Sequence, residues 1–292
     1  MAKEFTYTTN DGEEIREWAE SESDVLDSAR ERLDERGVSL AGEEIEECIE
    51  VIPSPRRIKS GAEGVFDERR RRGGERAARE VVESGMDVGL GTGSTTAWAV
   101  AEIGRLLRAG ELEGVRGVAT SLQSHELAKE AEIPLTGLDE VTELDVTIDG
   151  ADQYSESEPT VIKGGGGAHA REKVIDAMAD ELVITTDEEK ATDPLDFPVP
   201  VEVMPDARAV VAERVREAGG EPELRMAERK DGPLFTANGN LVLDCDFGGI
   251  DDTAGTARDL ETIPGILEHG IFQDMVDAVY LGTSEDVDVL QF

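Results

Sequence analysis

From Met86 to Asp187 the chain repeats one pattern: a short apolar run, a turn rich in glycine or hydroxyl residues, then a segment with apolar residues at helical spacing. "MDVGLG", "RGVATS", "ELDVTIDGA" and "ELVITTD" read as buried strands, and "STTAWAVAEIGRLLRAG", "SHELAKEA" and "AHAREKVIDAMAD" read as the helices between them. Strands joined by helical crossovers pair in parallel, and a parallel sheet needs cover on both faces. The fold class expected is therefore α/β, a Rossmann-like open parallel sheet with helices on both faces. "FDERRRRGGERAAREVVES" precedes it as a helix that two glycines interrupt.

After residue 198 the rhythm changes to β-α-β-β-α-β, the order of a smaller ferredoxin-like α+β domain. "MVDAVYLGT" then returns to the first sheet. The division expected is an α/β catalytic domain over 66–197 and 273–292, a ferredoxin-like domain over 198–272, and a separate extension over 1–65. That extension carries an amphipathic helix in "SDVLDSARERLDERG" and a linker near 53–65, where "PSPRRIKSGAEG" is rich in breakers.

Charge bears on what such a sheet can bind. The 292 residues carry a formal net charge of -38, spread along the chain, and lysine is confined to Lys3, Lys59, Lys129, Lys163, Lys173, Lys190 and Lys230. A diffusely acidic surface repels nucleic acid and anionic membranes and suits a salt-rich cytoplasm, which implies a halophilic source. No apolar run reaches the ~20 residues of a membrane helix. A cytoplasmic location is expected. Cys48 and Cys245 have no motif spacing, and the scattered His125, His169 and His269 give no metal-ligand pattern.

Against that background three stretches carry chemistry. "GLGTGST" lies between a strand and a helix, where N–H groups and the helix dipole hold anions. It fits neither the dinucleotide fingerprint nor the Walker pattern. What remains is a loop of Thr92, Gly93, Ser94 and Thr95 suited to one phosphate, or a plain turn with Ser94 as helix cap. "TIDGADQ" puts Asp149 and Asp152 around Gly150 and Ala151 at the carboxyl end of a strand, the edge at which open α/β sheets bind ligands. "IKGGGGAHAREKV" sets Lys163 before Gly164, Gly165, Gly166 and Gly167, with Glu172 on the helix that follows. Consecutive glycine N–H groups form an anion-binding concavity, beside which a lysine adds charge and a glutamate supplies a base. Lys190 stands just past the next strand on the same edge. His169 is expected on the solvent face of its helix. Arg171 and Lys173 are expected ~100° to either side of Glu172, so a change at Lys173 should be mild.

Together "GTGST", "DGAD", "KGGGG" with "REK", "FPVPVEVMP", "NGNLVLD" and "IPGI" resemble the ribose-5-phosphate isomerases of type A, over about residues 68–292. The resemblance implies interconversion of D-ribose 5-phosphate and D-ribulose 5-phosphate through an enediolate, in the non-oxidative pentose phosphate pathway. It implies no cofactor and no metal, and a homodimer or homotetramer. By position it implies Glu172 as the proton-transferring base. Asp149, Asp152 and Lys163 become the polar groups around the reacting carbons, with Gly150, Ala151 and Gly164–Gly166 lining them, and Thr92–Thr95 and Lys190 binding substrate. The family carries a lysine about where Arg71 stands. A non-catalytic sugar-phosphate binder of the same architecture would need the phosphate loop but no base. Residues 1–65 have no counterpart in the resemblance, and three readings stand open for them: a fused module, a lineage-specific extension, or an upstream start.

Overall fold

The computed structural model describes residues 3–8, 14–19, 50–52, 68–227, 231–283 and 285–292. The chain divides into two compact units, Met1–Ala62 and Glu63–Phe292. In the first, β1 (Lys3–Thr8) pairs antiparallel with β2 (Glu14–Ala19) and with β3 (Glu50–Ile52). The helix expected over "SDVLDSARERLDERG" and the linker near 53–65 lie outside the described residues.

The second unit opens with α1 (Glu68–Val81), then β4 (Asp87–Leu90), α2 (Thr96–Arg108), β5 (Arg116–Ala119), α3 (Leu122–Glu130) and β6 (Leu144–Gly150). Two short strands follow, β7 (Gln153–Tyr154) and β8 (Val161–Ile162), before α4 (His169–Asp176) and β9 (Ala179–Asp187). Next come β10 (Val199–Val203), α5 (Arg208–Glu217), β11 (Glu221–Leu224), β12 (Leu241–Asp246), α6 (Thr253–Glu261) and β13 (Ile266–His269). The chain ends in β14 (Ile271–Phe272), β15 (Ala278–Gly282) and β16 (Val287–Gln291).

The main sheet has the order β16-β15-β9-β6-β4-β5, parallel except for the antiparallel edge strand β16. Its strands are buried as the apolar runs require: Val88, Val146, Ile148, Val183 and Val279 are each at most 1% exposed. The chain leaves β4 toward β5 on one side and returns to β6 on the other. Crossovers thus reverse direction at β4, which opens a crevice at the carboxyl ends of β4 and β6. The β-α-β-β-α-β stretch forms an antiparallel sheet of order β11-β12-β10-β13. Three short strands, β14-β8-β7, make a further antiparallel sheet, and they hold Lys163 at the end of β8.

One expectation fails in α1. The helix runs through Gly73 and Gly74 without a break. A Cβ on Gly74 would lie 2.6 Å from the Thr95 carbonyl and 2.9 Å from the Ala99 nitrogen. The glycines are there because α1 presses against the start of α2, not because the helix stops. Among the described residues no helix is long and apolar enough to cross a membrane.

Candidate functional site

Strand β6 stays buried to its end and delivers Asp149, which is fully enclosed, to the crevice. Asp149 Oδ1 accepts the N–H of Thr92 at 2.9 Å and that of Gly150 at 2.6 Å. A Cβ on Gly91 would collide with this carboxylate, so the first glycine of "GTGST" allows the loop after β4 to close on Asp149. The other oxygen, Oδ2, lies 2.8 Å from Lys163 Nζ. Lys163 also donates to the Gly150 carbonyl at 2.7 Å and stands 3.5 Å from Glu172 Oε2. Its ammonium is 5.2 Å from the centre of the Phe272 ring. Burial alone would strip the lysine of its proton, but Asp149, Glu172 and Asp176 reverse that and hold its pKa above the ordinary value. The ammonium is the fixed cation of the site.

Glu172 belongs to the first turn of α4, where a helix dipole favours a carboxylate. Burial pushes its pKa up, Lys163 opposes the shift, and Asp149 and Asp152 add to it; the balance is about 8. A carboxyl group that titrates near neutrality can both take and return a proton.

The glycine run now has a position-by-position explanation. Gly164 has φ +106°, and a Cβ there would lie 2.7 Å from the His169 ring. Gly165 donates its N–H to Asp152 Oδ2 at 2.6 Å, and a Cβ on it would stand 2.5 Å from the other Asp152 oxygen. Gly166 faces the cleft, its nearest Cβ neighbour being Thr92 Cγ2 at 3.9 Å. Gly167 closes a turn onto the Gly164 carbonyl with φ +72°. Arg225, held by Asp244, donates to the carbonyls of Gly164 and Gly165 at 2.9 and 3.1 Å.

Around the loop after β4, Thr92 Oγ1 bonds Thr120 Oγ1 and Ser121 Oγ at 2.8 and 2.7 Å. Thr95, not Ser94, occupies the cap position of α2, and no side chain caps it. Ser94 Oγ instead accepts from Arg70 Nη1 at 3.2 Å, while Arg70 Nε bonds the buried Asp187 at 3.1 Å. Lys190 Nζ donates to the Ala151 carbonyl at 2.6 Å. A cleft of about 510 Å³ runs from Thr92 and Gly166 past Ser121 and Arg171 to Leu234 and Phe235.

A profile of the family described as ribose 5-phosphate isomerase A (phosphoriboisomerase A) matches residues 116–286. Ribose-5-phosphate isomerase A of Natronomonas pharaonis is 52% identical over 226 residues, spanning 77% of this chain and 98% of the relative. The chain belongs to the ribose 5-phosphate isomerase A family. The isomerase A of Haloarcula marismortui is 51% identical over 227 residues, with 78% and 97% of the two chains covered. The solved isomerase A of Methanocaldococcus jannaschii superposes with TM-score 0.73 at 42% identity, covering 77% of this chain and 99% of that one. Another solved D-ribose-5-phosphate isomerase, in complex with phospho-erythronic acid, gives TM-score 0.74 at 40% identity, covering 77% and 98%. The haloarchaeal relatives agree with the halophilic source inferred from the charge.

Within this isomerase fold Asp149, Lys163 and Glu172 meet at the inner end of the crevice, with Asp152 and the glycines at its rim. Thr92–Thr95 and Lys190 stand on the same sheet edge. Two expectations are corrected. His169 does not face solvent: it is buried under Gly164, and burial followed by Lys173 and Arg225 holds its pKa down at about 3. Lys173 is not a bystander: it donates to Glu268 Oε1 and the His269 carbonyl, both at 2.7 Å, and lies 4.9 Å from the Phe272 ring centre. The structure also puts Arg70 against Ser94, while Arg71 pairs with Glu75. Sequence reasoning missed Asp176, Arg225 and Arg70. Asp176 had a signal, since it lies four residues past Glu172 and so shares its helix face.

Proposed function

We propose that this chain interconverts D-ribose 5-phosphate and D-ribulose 5-phosphate through an enediolate, with Glu172 carrying the proton between the two reacting carbons. The observation that supports this most is the Lys163 ammonium holding two buried carboxyl groups, Asp149 at 2.8 Å and Glu172 at 3.5 Å, beside a hydroxyl-rich loop. A binder of sugar phosphates would need the loop alone.

Aldose–ketose exchange removes a proton from a carbon next to a carbonyl and returns it to the neighbouring carbon. One carboxylate placed over both carbons performs both transfers. Negative charge develops on the sugar oxygens in between. The Gly165 N–H serves Asp152 and the Gly167 N–H the Gly164 carbonyl, so the N–H groups of Gly164 and Gly166 act as its donors. Lys163 already points its ammonium at Asp149 and the Gly150 carbonyl, 2.8 and 2.7 Å away, with Glu172 at 3.5 Å. Its share is a fixed positive charge in dry surroundings, exerted through the carboxylates that it orients, not a direct hydrogen bond to the sugar. Asp149 and Asp152 assist ring opening and proton movement between hydroxyl groups. Gly150, Ala151 and Gly164–Gly166 line the sugar. Thr92–Thr95, Arg70 and Lys190 hold the phosphate end, fixing the reacting carbons in register with Glu172. The reading includes no cofactor, an assembly of two or four copies and a cytoplasmic setting. Exposed apolar side chains such as Leu122 and Met226, 76% and 57% exposed, offer surface for such assembly.

The test is inhibition of ribose 5-phosphate conversion in molar salt by a four-carbon sugar acid phosphate, the class of ligand bound to the second solved relative. Its carboxylate sits where the enediolate oxygens would develop, so it should compete with substrate and bind more tightly. Conversion without inhibition, or binding weaker than substrate, counts against the enediolate.

A further inference from the structure

The buried cluster contains one more acid than the proposed reaction uses. Asp176 is 2% exposed, and its Oδ2 stands 3.8 Å from Lys163 Nζ, outside hydrogen-bond distance. Among the described residues no hydrogen-bond donor reaches either of its oxygens. Three carboxyl groups, those of Asp149, Glu172 and Asp176, thus surround one ammonium, each within 4 Å and each nearly or wholly sealed from water. The two cations of α4 are engaged elsewhere, Lys173 by Glu268 and the His269 carbonyl and Arg171 by the Ala119 carbonyl. A dry cluster of three anions and one cation is unbalanced, and burial drives such a group to neutralise by taking up a proton.

The three acids are not equivalent sinks for that proton. Asp149 receives two backbone N–H groups and the 2.8 Å contact from Lys163. Glu172 lies in the first turn of α4, at the positive end of the helix dipole, while Asp176 is its last residue, at the negative end. Asp176 has the longest contact to Lys163, no donors and the wrong end of the helix. We propose that Asp176 keeps a proton even where Glu172 is ionised, which leaves the Lys163 charge to Asp149 and Glu172. Its pKa accords with this, raised well above the ordinary value by burial, then by Asp149 and Glu172, against the pull of Lys163. Asp176 is therefore a positioning residue. It touches no substrate atom, and its neutrality keeps a third anion from drawing Lys163 off the two working carboxylates. That role rests on the reading of Glu172 as the base, but the position of the proton does not.

Infrared spectroscopy of the full chain in molar salt, at a pH above the Glu172 titration at about 8, reads the proton directly. A protonated carboxyl group shows a carbonyl band apart from the carboxylate bands. The wild type should show one such buried band, it should move when aspartate alone carries ¹³C at its carboxyl, and it should vanish in Asp176→Asn. Absence of the band in the wild type, a band unmoved by labelled aspartate, or a band retained in Asp176→Asn each overturns the proposal. If Asp176→Asn does not fold, Asp176→Ala takes its place, and the labelling result needs no variant. A Glu172→Gln enzyme that kept its turnover would remove the base assignment while leaving the infrared result intact, so the two failures are distinguishable.

Discussion

Replacing Gly165 with Ala, beside the same change at Gly166, isolates what the glycine run is for. A Cβ on Gly165 would lie 2.5 Å from Asp152 Oδ1 and 3.0 Å from its Cγ. Ordinary contact begins near 3.5 Å, so either the loop or Asp152 must retreat by roughly 1 Å. Either movement breaks the 2.6 Å bond from the Gly165 N–H to Asp152. A displacement of that size in a catalytic constellation costs on the order of 10²-fold in rate. Stability should hardly change. The lost charge-assisted hydrogen bond is worth about 1.5–3 kcal/mol at most, and at this exposed position water replaces much of it. The less flexible unfolded chain returns about 0.4–1 kcal/mol. A melting shift within about 4 °C follows. Ala at position 166 keeps the amide and meets only Thr92 Cγ2 at 3.9 Å. Its loss of turnover should stay under about 10-fold, since ordinary contact demands no movement. The assay is steady-state conversion of ribose 5-phosphate with parallel melting curves. Equal losses in the two variants would refute the reasoning, because the neighbouring glycines differ chiefly in what their Cβ would strike.

The pH dependence of kcat/KM should rise through a limb set by Glu172, at about 8 and not in the ordinary carboxylate range, because burial keeps the proton on until then. A limb near 4–5 in a pH–rate profile would show an unshifted carboxylate instead. Lys163→Met should move that limb further up, since Lys163 is what lowers it, and should cost about 3–5 kcal/mol by leaving buried acids uncompensated. Dialysis to ~10 mM salt, where the Debye length is ~30 Å, should lower both melting temperature and activity. Unchanged values there would mean that surface repulsion is not what salt relieves.

The alternation of apolar runs and helices made the parallel sheet legible, because strand and helix periods differ so plainly between Met86 and Asp187. The three motifs that carry the chemistry were legible because each falls where a strand meets a helix or turn. What escaped the sequence depended on packing. Gly73 and Gly74 read as a helix break, yet they serve the contact of α1 with α2. His169 read as solvent-facing and a change at Lys173 as mild, because one sequence does not show that α4 is covered by β13 on a second side. Arg225 lies far along the chain from the glycines whose carbonyls it holds, and nothing local announces it. Strands β7, β8 and β14 have two residues each, too short for any periodicity to register. Within "RRRR", identical residues differ only in helical phase, and that phase selects Arg70 to reach Ser94.

The central claim is that Glu172 moves the proton, and Glu172→Gln tests it most directly. The exchange keeps the shape of the side chain and removes the base, while the phosphate loop and Lys190 stay untouched. Binding of ribose 5-phosphate should be nearly normal, and turnover should fall by at least ~10²-fold, the lower end for a lost general base. The decisive reading is exchange of the C2 proton of ribose 5-phosphate with deuterated solvent, followed by NMR. The account predicts exchange in the wild type and none in the variant. A Glu172→Gln enzyme that still exchanges that proton and retains most of its turnover would contradict it, and would pass the base to Asp149 or Asp152.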